Sequence, residues 1–241
     1  FCILSGGICR PLFFCKKGVR KISSEFIKSK MRTVKKFSIA FAKWVFIACA
    51  VGVVGGIVGS LFHMAVNFAT GFREGHSWTL YLMPLAGLFI IFSYRVCKVN
   101  EETGTNLIIS SVRGNIKVPL LMAPLIFLGT VLTHLTGGSA GREGAALQLG
   151  GSIGAKAGEL LKLDEKDSSL VIMCGMSAVF AALFGTPLTA TFFAMEVISV
   201  GVIYYVGLVP CIASSLIAYK ISLLAGLAPT KFTITGIPRL S

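Results

Sequence analysis

The feature that most limits this chain is a run from Phe37 to Phe68 that is apolar or small at nearly every position, interrupted by Lys43, His63 and Asn67. A spanning helix needs roughly 20 apolar residues, so the run is long enough to cross a bilayer at a tilt. Further apolar stretches follow at Trp78–Val96, Val118–Leu135, Leu170–Phe184, Pro187–Val200 and Val202–Leu224. Charged residues make up 14% of the chain and hydrophobic ones 54%, whereas soluble domains carry about 25% charge. The expected fold is an all-α, polytopic membrane domain over residues 37–230, built from tilted and broken helices.

The net charge of +13 is concentrated at one end. Eleven of the 23 lysines and arginines precede Trp44, against the single acid Glu25. The excess beside the first span predicts a basic cytoplasmic N-terminal segment over residues 1–36, attracted to anionic headgroups. No nucleic-acid docking motif accompanies the charge, so nucleic acid is not an expected partner. Met31 begins a plausible start, which leaves residues 1–30 open between a native arm and non-native sequence. They are too interrupted for a cleaved signal peptide. Residues 231–241 read as a truncated linker.

Seven cysteines are present. Cys49, Cys97, Cys174 and Cys211 lie in or beside apolar runs, where a thiol behaves as a small hydrophobe. Cys2, Cys9 and Cys15 lack the His or second Cys pair of a zinc spacing. Neither a disulfide framework nor a metal site is expected. His63 and His134 each sit alone in an apolar stretch, which suits packing or a hydrogen bond better than ligation.

Several elements are interrupted. Residues 100–117 are too polar to span, yet Leu107–Val112 is apolar, which predicts a short helix starting after Gly104. Pro124 introduces irregularity into the next stretch. Gly55 and Gly59, and again Gly150, Gly154 and Gly158, recur every four residues and give helix faces that another helix can approach closely. LLKLDEKDSS, residues 160–169, reads as a charged loop, and Gly185–Pro187 as a breaker.

Within residues 137–158, GGSAGREGAALQLGGSIGAKAG, the adjacent Arg142 and Glu143 lie in a segment expected at membrane depth. Ionisable groups there are costly and mark pathways or paired sites. The alternative is mutual neutralisation in a surface loop. Gly141 and Gly144 permit a tight turn and Ala145–Leu147 continue as helix, so Glu143 falls in or just before a first turn. Free N–H groups and the helix dipole attract anions at such a start. A carboxylate there occupies an anion's place and leaves it on protonation, which describes a proton-sensitive gate. Thr105 and Asn106 offer donors at a second helix start, or simple N-caps. Two half-helix ends facing one point near the midplane bind ions in several transporter folds.

GREGAALQLGGSIGA (141–155) resembles the GREGP signature of the CLC chloride channels and anion/proton exchangers. AALFGTPLTATFFAMEV (181–197) is similar to that family's AAFNAPLAGILFIIEE, and GTNLI (104–108) stands where the family has GSGIP. The resemblance spans roughly residues 37–230. It implies halide transport by a channel or an anion/proton antiporter, with Glu143 as the gating glutamate. The implied anion site is Gly104, Thr105 and Asn106 together with the Gly141, Arg142, Gly144 and Ala145 backbone, with Thr105 in place of the family's Ser.

The resemblance also implies a homodimer in the cell membrane, each subunit made of two inverted halves, of which this chain supplies the first. The ligand is chloride or fluoride, no other cofactor is called for, and halides, protons and bilayer lipid are the partners. Glu196 takes the first position of the family's glutamate pair, as a proton-path candidate, and Val197 takes the second, the internal proton-transfer position. That change and the altered Ser motif resemble the fluoride-exporting branch. Two other readings remain: an intramembrane enzyme using Glu143 and Arg142 as acid and anion clamp, and a non-transporting membrane fragment.

Overall fold

A computed structural model describes residues 13–99, 104–114, 118–198, 201 and 204–227. Residues 1–12 of the basic segment and the linker over 231–241 lie outside the described residues. Eight α-helices are described: α1 (Phe13–Gly75), α2 (Met83–Val96), α3 (Thr105–Gly114), α4 (Met122–Leu135), α5 (Arg142–Leu160), α6 (Glu165–Phe184), α7 (Pro187–Glu196) and α8 (Tyr205–Leu224), with a 3-10 segment at Ser77–Leu82. Among the described residues, four segments are long and apolar enough to cross a membrane: Phe37–Gly75, Ser77–Val96, Glu165–Phe184 and Tyr205–Leu224.

The chain divides into two compact units, Phe1–Trp44 and Val45–Ser241. Described residues of the first are helical, with Lys30, Lys35 and Lys43 exposed.

In the second unit α6 is the central helix. Every residue from Leu170 to Leu183 is buried, as expected of a helix that is apolar all round. Its neighbours reach it through small residues. A Cβ on Gly55 would stand 2.7 Å from the Ala178 methyl, and one on Gly59 would stand 2.8 Å from that of Ala182. On the adjacent face of α1, a Cβ on Gly52 would lie 2.7 Å from Ser214 O and one on Gly56 2.9 Å from Ala218 Cα. The predicted Gly55/Gly59 stripe therefore seats α1 against α6, while Gly52 and Gly56, which the sequence reading did not single out, seat it against α8. Gly150 of α5 meets Gly175 of α6 backbone to backbone.

Lipid supplies little hydrophobic drive between helices, so close packing and interhelical hydrogen bonds carry much of the association. Ser214 Oγ donates to Cys174 O at 2.8 Å, Ser222 Oγ donates to Ala182 O at 2.9 Å, and the Thr191 and Ser215 hydroxyls pair at 3.0 Å. His63 and His134 also bind carbonyls through Nδ1, Leu183 O and Thr130 O respectively, each at 2.8 Å.

The punctuation differs from the sequence expectation in places. The expected loop over residues 160–169 is shorter, because α6 already starts at Glu165. Glu165 and Asp167 lie in its first turn, where acidic groups favour the helix dipole. The second stretch is a 3-10 segment followed by α2, with Pro84 in the first turn of α2, where its missing N–H costs little. Gly185 closes α6 at φ 72°, a left-handed cap suited to glycine, and Pro187 opens α7 two residues later.

Candidate functional site

The start of α5 is built by its glycines. Gly141 is the N-cap with φ −69° and ψ 139°, extended backbone that ends the preceding loop, and Arg142 is the first helical residue. Glu143 therefore falls in the first turn, where backbone N–H groups have no partner within the helix. The Glu143 side chain is exposed and lies against the cap: a Cβ on Gly141 would stand 3.1 Å from Glu143 Oε2.

The start of α3 lies beside this turn. Thr105, the first residue of α3, places Oγ1 3.3 Å from where a Gly144 Cβ would be. Gln148 Nε2 donates to the same Thr105 Oγ1 at 3.0 Å. Thus the two helix starts expected from sequence meet, with the Thr105 hydroxyl against the bare first turn of α5. Gly104 and Asn106 flank Thr105 and are exposed.

A cavity of about 290 Å³ opens here, lined by Gly141, Gly144, Ala145 and Gln148 of the α5 start together with Tyr94, Thr130 and Thr133 and the apolar Ile90 and Ile126. Its lining thus mixes small and apolar residues with hydroxyl-bearing ones and a single amide residue, Gln148. Thr133 Oγ1 donates to Gly129 O at 2.7 Å, so this hydroxyl is committed to its own helix.

Two predicted residues point elsewhere. Arg142 Nη1 donates to Asn67 Oδ1 of α1 at 3.4 Å, so its guanidinium is engaged with α1. Glu196 lies at the far end of α7 and accepts the Gly201 N–H on Oε1 at 2.8 Å.

Sequence reasoning missed three contributors. Gln148 lies within the glycine-rich segment 137–158 and was not singled out, although its spacing of four from Gly144 puts both on one helix face. Tyr94 and Thr130 gave no local signal, because their helices join the site only in the tertiary fold.

The model for the voltage gated chloride channel family matches residues 86–238. The chain belongs to the voltage-gated chloride channel family. A chloride/fluoride channel protein of Pseudomonas syringae pv. tomato is 35% identical over 209 residues, covering 86% of this chain and 46% of that protein. An H(+)/Cl(−) exchange transporter of Vibrio vulnificus is 28% identical, over 63% of this chain and 36% of that one. Among solved structures, a CLC-type fluoride/proton antiporter superposes with TM-score 0.77 at 34% identity, covering 83% of this chain and 51% of that one. A cyanobacterial Cl−/H+ antiporter superposes with TM-score 0.61 at 22% identity and shares the fold. The chain spans about half the length of the curated relatives it matches. With this family and its apolar helices, it is an all-α, multi-pass membrane protein.

Proposed function

We propose that the full-length protein carrying this sequence exchanges halide for protons across the cell membrane, that fluoride is the favoured halide, and that Glu143 is the gate. The observation that carries this reading is the meeting of the Thr105 hydroxyl with the first turn of α5, beside a carboxylate held over the same helix start. An anion at that point gains the free N–H groups of the turn and the helix dipole, worth about 0.3–1 kcal/mol at an exposed site and up to about 2 kcal/mol in a partly buried one. Ionised Glu143 competes for those same donors. Protonation removes the charge, the carboxyl swings aside, and the anion takes its place.

The fluoride preference is supported by Val197 at the second position of the family's glutamate pair and by GTNLI in place of GSGIP. The 35%-identical relative is named for both chloride and fluoride, and the 34%-identical structure for fluoride/proton antiport. The same proposal includes a cytoplasmic N-terminus, supported by the basic arm, assembly as a homodimer, and a second half that completes the path. The enzyme reading has less support, since Arg142 is engaged with Asn67. Among the described residues there is also no cluster of three His, Cys, Asp or Glu side chains.

The test is flux of fluoride and of protons from proteoliposomes made with the full-length protein, with and without Glu143→Gln. Fluoride movement coupled to protons, with the pH response lost in the variant, is expected. An unchanged pH response would make Glu143 an ordinary surface charge.

A further inference from the structure

Gln148 stands one helical turn beyond Gly144, and both line the cavity. From that position its amide crosses to α3 and donates to Thr105 Oγ1 at 3.0 Å. Gly144 keeps the way open, because a Cβ there would lie 3.3 Å from Thr105 Oγ1 and 4.0 Å from Gln148 Nε2. A threonine hydroxyl has one proton and two acceptor lone pairs. When an amide N–H occupies a lone pair, the hydroxyl proton is turned away from that amide and remains available. Among the described residues, the Thr105 proton has no protein acceptor.

We infer that Gln148 is a positioning residue for the anion site: by donating to Thr105 it fixes the hydroxyl rotor so that the O–H points at the bound halide. The inference rests on the reading of Thr105 as an anion ligand. Without Gln148 the rotor is free, and the hydroxyl proton can turn to a carbonyl or to water instead of the ion. The smallest halide loses most, because its binding depends on short, well-aimed donors that replace its tightly held water. Gln148 therefore acts on the discrimination between fluoride and chloride more than on overall flux.

The experiment measures fluoride and chloride flux separately, in proteoliposomes of the full-length protein carrying Gln148→Met, Gln148→Glu, Thr105→Val, Thr105→Ser or the Gln148→Met/Thr105→Val pair. Gln148→Met keeps the volume and removes the donor. It should lower the fluoride-to-chloride ratio about fivefold, the factor that corresponds to the net worth of one neutral hydrogen bond. Thr105→Ser should keep the parent ratio, and adding Gln148→Met to Thr105→Val should change nothing further.

A role in packing alone predicts that Gln148→Met slows both ions equally, or that its effect adds to that of Thr105→Val, and either result overturns the inference. If Thr105→Val itself leaves both fluxes and their ratio intact, the anion-site reading falls and takes this inference with it. Should Gln148→Met fail to purify, Gln148→Glu decides the matter. Its carboxylate captures the hydroxyl proton, so the ratio should fall, and an unchanged ratio overturns the inference.

Discussion

The Glu143 carboxylate lies over Gly141, the N-cap of its own helix, with Oε2 3.1 Å from the place a Gly141 Cβ would take. The carboxylate proposed as the gate thus rests on a residue without a side chain. Gly141 has φ −69° and ψ 139°, which alanine adopts without strain. Gly141→Ala should therefore fold normally while its methyl shifts the carboxylate by about a few tenths of an ångström from its place over the helix start. With Glu143 as the proposed gate, flux in the unmutated protein should rise as pH falls. In Gly141→Ala, flux at alkaline pH should rise about twofold to threefold, under 1 kcal/mol of lost competition. Flux at acid pH should stay the same. A pH profile identical to the parent would show that the carboxylate's place over Gly141 has no bearing on gating.

Gly150 and Gly175 set the separation of α5 and α6, and with it the position of the α5 start. A Cβ on either would meet the backbone of the other, and backbone gives way less readily than a side-chain end. Alanine at either position should cost about 1–3 kcal/mol, the range for overpacking a close contact. The melting temperature of the purified protein should fall by several degrees for each variant. Gly71→Ala, with open space around the new methyl, is the control and should not lower it. Equal melting for all three would mean that the α5–α6 contact is looser than described.

Glu196 accepts the Gly201 N–H at 2.8 Å, which gives it a structural task after the end of α7. Glu196→Gln keeps an acceptor oxygen and removes the titratable group. Proton-coupled flux should be unchanged in Glu196→Gln. A loss of proton movement with anion movement retained would put Glu196 on the proton path.

The sequence and the structure agree best where a residue's surroundings are local. The helix start at Gly141, the short helix after Gly104 and the Gly55/Gly59 stripe depend on neighbours within a turn or two, and all three were legible. The α6 start was misplaced because a run of charges reads as loop, while Glu165 and Asp167 are favoured in a helix's first turn. The partners of Arg142 and Thr105 lie 75 and 43 residues away in the chain. No periodicity in the sequence announces Asn67 or Gln148 as those partners. Tyr94 and Thr130 are likewise ordinary until α2 and α4 pack beside α5.

The central claim is that the α3 and α5 starts form a halide site that favours fluoride. The most direct measurement is the initial flux of fluoride and of chloride, each down the same gradient, from proteoliposomes of the full-length protein. The account predicts fluoride flux at least about tenfold above chloride flux, equivalent to about 1.4 kcal/mol of discrimination. Equal rates, or a preference for chloride, would contradict it.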